Sequence, residues 1–163
     1  MDPPAVTLRT PSSPAEMEAV RQIFREYANS LGVDLCFQNF ESELAQLPGD
    51  YAAPRGALLL AEVEGAIAGC CALRPLDSAD YPNASEMKRL YVRKAFRRRG
   101  LGRELAEATL DRARQAGYAC VLLDTLDDME SARTLYTDLG FAAIAPYYHN
   151  PIAGAHYLKA DIS

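Results

Sequence analysis

The sequence predicts an α/β (α+β) fold, a single domain over residues 1–163 with a central mixed, twisted sheet of about six or seven strands flanked by about four helices. Three observations carry that expectation. Apolar runs of strand length alternate with segments whose apolar residues recur every three or four positions. The runs 57–63 and 66–73 are joined only by Glu64-Gly65, a link so short that the two must be antiparallel neighbours. A strand, a helix and a strand follow one another over residues 86–125, and such a unit closes through a right-handed crossover that pairs its strands in parallel.

Taken in order, Ala5-Val6-Thr7-Leu8-Arg9 reads as a short strand stopped at Pro11. Ser12 or Ser13 offers an N-cap, Pro14 suits a first turn, and Glu16 completes a capping box with Ser13. Ala19, Val20, Ile23, Phe24 and Tyr27 then continue a helix from Ala15 to about Ser30, ended by Gly32. A second helix is expected over 40–47, between Asn39 and Pro48-Gly49-Asp50. The runs 57–63 and 66–73 are apolar throughout, as in central strands covered on both faces. After a polar loop at 77–83, residues 86–92 read as a strand. Leu105, Ala106, Thr109, Leu110 and Ala113 share one face of a helix from about Gly102 to Ala116, with Gly117 as its stop. Residues 119–125 form a buried strand, 129–139 a helix capped by Asp127-Asp128 and ended by Gly140, and 141–144 with 156–160 a last pair of strands.

Composition narrows the function classes. At 49% hydrophobic and 24% charged residues, the chain is of ordinary globular composition. Its 17 basic against 22 acidic residues argue against general nucleic-acid binding and favour cationic partners, amines among them. Cys36, Cys70, Cys71 and Cys120 lack metal-ligand spacing and C-x-x-C pairing, so reduced, mostly buried thiols are expected. With no signal-peptide pattern and no apolar run near 18 residues, the expected location is cytoplasmic.

The chemistry centres on Arg97-Arg98-Arg99-Gly100-Leu101-Gly102, between the 86–92 strand and the helix that follows. Glycines spaced G-x-G at a helix start bring several N–H groups to one point, where the helix dipole adds positive charge: a phosphate cradle. The bland alternative is a basic, solvated turn. A P-loop is excluded because G-x-x-x-x-G-K-[ST] is absent, and a dinucleotide fingerprint because Leu105 stands at its third glycine. The segment resembles the [QR]-x-x-G-x-[GA] pyrophosphate loop of the GNAT superfamily of acetyl-CoA-dependent N-acetyltransferases. Ala132-Arg133-Thr134-Leu135-Tyr136-Thr137-Asp138-Leu139-Gly140-Phe141 looks like that family's A-x-x-L-Y-x-x-x-G-F helix and strand, and the order of elements is similar across nearly the whole chain. One position departs from the pattern: Met129 stands where members often carry Asn.

The resemblance implies acetyl-CoA as cosubstrate. It would be held by the main chain of Leu90, Tyr91 and Val92 and by Arg97, Arg98, Arg99, Gly100, Leu101, Gly102, Arg103 and Arg133. It also implies direct attack by an amine in a ternary complex. A lysine-like amine is neutral in only about one molecule in 2500 at pH 7, a cost of roughly 4.6 kcal/mol, against about 1 kcal/mol for an α-amine. Glu86, six residues before Val92, matches the family's general base, acting through a water; alternatively it is a solvated strand-start carboxylate. Tyr136 would be the general acid toward the thiolate, or a core residue. The oxyanion donor is placed at the Val92 N–H, to within one residue. Acceptor residues would be Asp34, Phe37, Tyr147 and Tyr148, with Cys36 and His149 nearby. The expected partner is a small amine, with no metal, membrane or nucleic acid and with a homodimer left open. A peptide or protein N-acetyltransferase and a non-catalytic acyl-CoA-binding module are the competing readings.

Overall fold

The computed structural model describes residues 6–31, 40–77, 80–97, 99–126, 130–147 and 155–162. They form seven strands, β1 (Val6–Arg9), β2 (Ala57–Val63), β3 (Ala66–Pro75), β4 (Ala84–Val92), β5 (Cys120–Leu126), β6 (Ala142–Ile144) and β7 (Ala155–Asp161), and four α-helices, α1 (Pro14–Leu31), α2 (Phe40–Gln46), α3 (Leu101–Gln115) and α4 (Glu130–Asp138). Short 3₁₀ turns at Gly49–Tyr51 and Lys94–Phe96 complete the order. The strands lie in one sheet, β1-β2-β3-β4-β5-β7-β6, in which only β4 and β5 pair in parallel.

Side-chain alternation assigns each face of the sheet its helices. Leu59, Ala61, Cys71, Leu73, Met87, Val121 and Leu123 pack with Leu105, Ala106, Leu110 and Ala113 of α3 and Tyr136 of α4. The neighbouring positions Leu58, Leu60, Cys70 and Ala72 pack with Val20, Ile23 and Phe24 of α1 and Phe40 and Leu44 of α2. Ile23 and Phe24 are completely buried, worth about 1.5–3 kcal/mol each relative to exposure. The α1 capping box forms as expected: Glu16 N–H donates to Ser13 Oγ at 3.1 Å and Ser13 N–H to Glu16 Oε1 at 3.2 Å.

Two details matter for the site: one corrects the expected start of a strand, the other settles an order the sequence left open. β4 begins at Ala84, so Glu86 is its third residue and not its opening one. β7 inserts between β5 and β6, because it is the longer of the last two strands and buries Tyr157 and Ala160, while three-residue β6 takes the exposed edge. The β4–β5 pairing covers only Ala84–Glu86 against Cys120–Leu122. Beyond it β4 stays with β3 to Val92 and β5 stays with β7 to Leu126, so a gap opens between two adjacent central strands.

Candidate active site

Backbone hydrogen bonds fix what β4 presents to this gap. Leu76 N–H donates to the Ala84 carbonyl at 3.0 Å, and Arg93 N–H donates to the Ala68 carbonyl at 2.8 Å, so Ala84 and Arg93 both face β3. Successive residues of a strand face opposite edges, and an even and an odd position cannot share an edge unless a residue is inserted between them. The register locates the insertion: Tyr91 pairs with Cys70 and Lys88 with Ala72, leaving Arg89 and Leu90 opposite Cys71 alone. Arg89 adopts φ +62°, in the left-handed region. Past this bulge the N–H and C=O groups of Leu90 and Val92 turn toward the gap, while those of Tyr91 face β3. The Val92 carbonyl accepts a bond from Arg97 Nε at 2.9 Å.

At the open end of the gap α3 begins. Gly100 caps it with φ 78° and ψ 10°, a conformation that glycine adopts without steric cost, and no side chain caps the helix. Gly102 has no such backbone requirement. A Cβ there would meet Leu135 Cδ2 at 3.7 Å and Val92 Cγ2 at 4.0 Å, ordinary contacts, so nothing in the chain itself excludes a side chain. What glycine provides is a bare backbone beside the N–H groups that a helix start leaves without intrahelical partners. That fits a polyphosphate approaching from outside. Arg97 lies over the Tyr91 ring at 5.9 Å and Arg99 over the Phe96 ring at 5.6 Å, whereas Arg103 is tied to Asp138 of α4 at 3.1 Å.

Glu86 stands where β4–β5 pairing ends, and it is 1% exposed. Its Oε1 accepts Arg74 Nε and Nη2, each at 2.7 Å, with Lys88 Nζ at 3.9 Å; its Oε2 accepts the Tyr147 hydroxyl at 2.7 Å. Burial pushes this carboxyl up, but the Lys88 and Arg74 cations and the Tyr147 bond outweigh it and hold the group below its ordinary range. Lys88, itself buried, is pushed down by desolvation against the opposing pull of Glu86. The solvated alternative for Glu86 is therefore replaced by a buried, ionised hub. Two expected site residues, Glu86 and Tyr147, are brought into direct contact.

Tyr136 lies on the other side of the sheet, edge-on to Phe141 at 5.6 Å within the α3-facing core. Burial pushes its hydroxyl well above the ordinary phenol range. Glu86 follows Arg74 and Lys88 on the α1/α2 side, so the proposed base and acid approach the gap from opposite faces. Arg133 lies in α4. Arg98, Asp34, Phe37 and Tyr148, with Cys36, Met129 and His149, fall outside the described residues.

Sequence reasoning missed Arg74, Lys88 and Arg89. The bulge makes Lys88 and Arg89 consecutive side chains on one face, and adjacent cations inside an apolar strand were the available signal. Arg89, 3% exposed, donates Nε and Nη2 to the two oxygens of Glu43 on α2 at 3.0 and 2.9 Å.

The splayed central strands, the bulge of β4 and the glycine-bare start of α3 thus meet at one cleft. Residues 17–141 match the model of the Acetyltransferase (GNAT) family. An uncharacterised N-acetyltransferase of Schizosaccharomyces pombe is 36% identical over 164 residues, covering 100% of this chain and 99% of that protein. Among solved structures, a GNAT-family acetyltransferase from Staphylococcus aureus superposes with a TM-score of 0.77 at 20% identity, covering 98% and 100% of the two chains. A putative acetyltransferase from Salmonella typhimurium, solved with acetyl-CoA, gives 0.73 at 20% identity, covering 98% and 95%.

The chain belongs to the GNAT acetyltransferase family. It is an acetyl-CoA-dependent N-acetyltransferase. Among the described residues no helix is long and apolar enough to cross a membrane.

Proposed function

We propose that the protein transfers the acetyl group to a primary amine of a small molecule, by direct attack of the amine in a ternary complex. The observation that carries this reading is the coincidence of three features at one gap: the end of β4–β5 pairing, the outward-turned N–H groups of Leu90 and Val92, and the glycine-bare start of α3. Bound there, acetyl-CoA supplies an acetyl thioester. The N–H groups of Leu90 and Val92 hold the pantetheine arm and polarise the thioester carbonyl, and Gly100, Leu101, Gly102 and their arginines hold the phosphates.

The acceptor approaches from the α1/α2 face. Its proton passes to the hydroxyl oxygen of Tyr147 as that hydroxyl gives its own proton to the Glu86 carboxylate. Arg74 and Lys88 keep Glu86 ionised before the step, so it is ready to accept, and they make it release the proton to solvent afterwards. Tyr136, kept protonated by its burial, donates to the departing thiolate from the opposite face. The buried cysteines have no nucleophilic part: burial pushes Cys70 and Cys71 up, Cys71 to about 12, so neither ionises near neutral pH. The test is a screen of small amines and N-terminal peptides with acetyl-CoA, following thiol release. Turnover confined to peptides would overturn the small-molecule reading.

A further inference from the structure

The bulge decides which N–H groups face the gap, yet it rests on an arginine in a backbone conformation that residues with a side chain rarely adopt. A regular strand through positions 84–93 would return the N–H groups of Leu90 and Val92 to β3. Something must hold Arg89 left-handed, and its surroundings show what does. Its guanidinium makes a two-pronged pair with Glu43, with 2% of its side chain exposed. The same guanidinium lies 5.2 Å from the Phe40 ring centre and 5.7 Å from that of Tyr27. Its carbonyl accepts a bond from Cys70 Sγ at 3.2 Å. Helices α1 and α2 thus grip the single residue whose torsion sets the edge presented to the thioester.

We infer that Glu43 and Arg89 are positioning residues for acyl transfer: their ion pair holds the β4 bulge and so keeps the Leu90 and Val92 N–H groups aimed at the thioester carbonyl. The inference rests on the acyl-transfer reading above. It also makes α2, on the acceptor face, a support of the carbonyl-binding edge, so displacement of α2 would change transfer without touching the phosphate cradle.

Glycine provides a test that separates positioning from general support, because it takes φ +62° without the pair whereas a β-branched residue resists it. The ratio of acetyl-CoA to CoA affinity, read by calorimetry, isolates the carbonyl contact, since both carry the pantetheine arm and only acetyl-CoA has the carbonyl. Arg89→Val and Glu43→Ala should lose about two- to tenfold in that ratio, the scale of one hydrogen bond. Arg89→Gly should keep the wild-type ratio, and adding Arg89→Gly to Glu43→Ala should restore it. Should Glu43→Ala fail to fold, the Val and Gly variants at Arg89 decide the matter between them. A wild-type ratio in Arg89→Val, or an equal loss in Arg89→Gly, overturns the inference alone. A wild-type protein that binds neither CoA nor acetyl-CoA overturns the acyl-transfer reading beneath it.

Discussion

Gly102→Ala should stabilise the fold and at the same time remove cosubstrate binding, a pairing of opposite signs that few substitutions produce. Gly102 is the second residue of α3 and has room for a methyl group, whose nearest neighbours would be Leu135 Cδ2 at 3.7 Å and Val92 Cγ2 at 4.0 Å. Alanine in a helix is favoured over glycine by about 0.5–1 kcal/mol, so unfolding should require up to that much more, raising Tm by about 1–4 °C. The methyl would occupy the space through which phosphate reaches the helix start. Losing one or two hydrogen bonds to a charged group, each worth about 1.5–3 kcal/mol, weakens CoA by about tenfold to about 2 × 10⁴-fold. Differential scanning calorimetry and CoA titration on one preparation measure both. A variant as stable as expected that binds CoA like the wild type would put the cradle elsewhere. Gly100→Ala is the contrast: at φ 78° it should destabilise by about 1–2 kcal/mol.

Three further outcomes follow from the site. Glu86→Gln leaves Arg74 and Lys88 without their carboxylate and should cost about 1–3 kcal/mol at pH 7. Because the folded carboxyl lies below its unfolded value, near 4.3, that advantage is present above pH ~4.3 and is lost as pH falls through the lower folded value; a gap in urea melts that persists into acid would refute the ion-pair assignment. Tyr147→Phe should lower turnover, and Glu86→Gln added to it should cost less than its single effect, since both interrupt one relay; additive losses would separate the two residues. Tyr136→Phe keeps the ring against Phe141, so Tm should barely move while turnover falls by about 10²–10⁴-fold; unchanged turnover would leave Tyr136 a packing residue.

The sequence by itself determined the elements that depend on neighbours along the chain. The Ser13–Glu16 capping box, the short Glu64-Gly65 link and the glycines around α3 act within a few residues, and the structure places all three as read. The parallel β4–β5 pair was legible too, because a strand, helix and strand of that length close in only one way. Tertiary structure alone decided the rest. The bulge at Arg89 leaves no local mark beyond two adjacent cations, since it depends on Glu43, Phe40 and Tyr27 arriving from two helices. Glu86 reads as an exposed carboxylate until β3 brings Arg74 beside it and the segment before β7 brings Tyr147, 61 residues away. An isolated buried charge is prohibitively costly, so its partners determine whether it is ionised, and those partners are set by the fold and not by the order of residues.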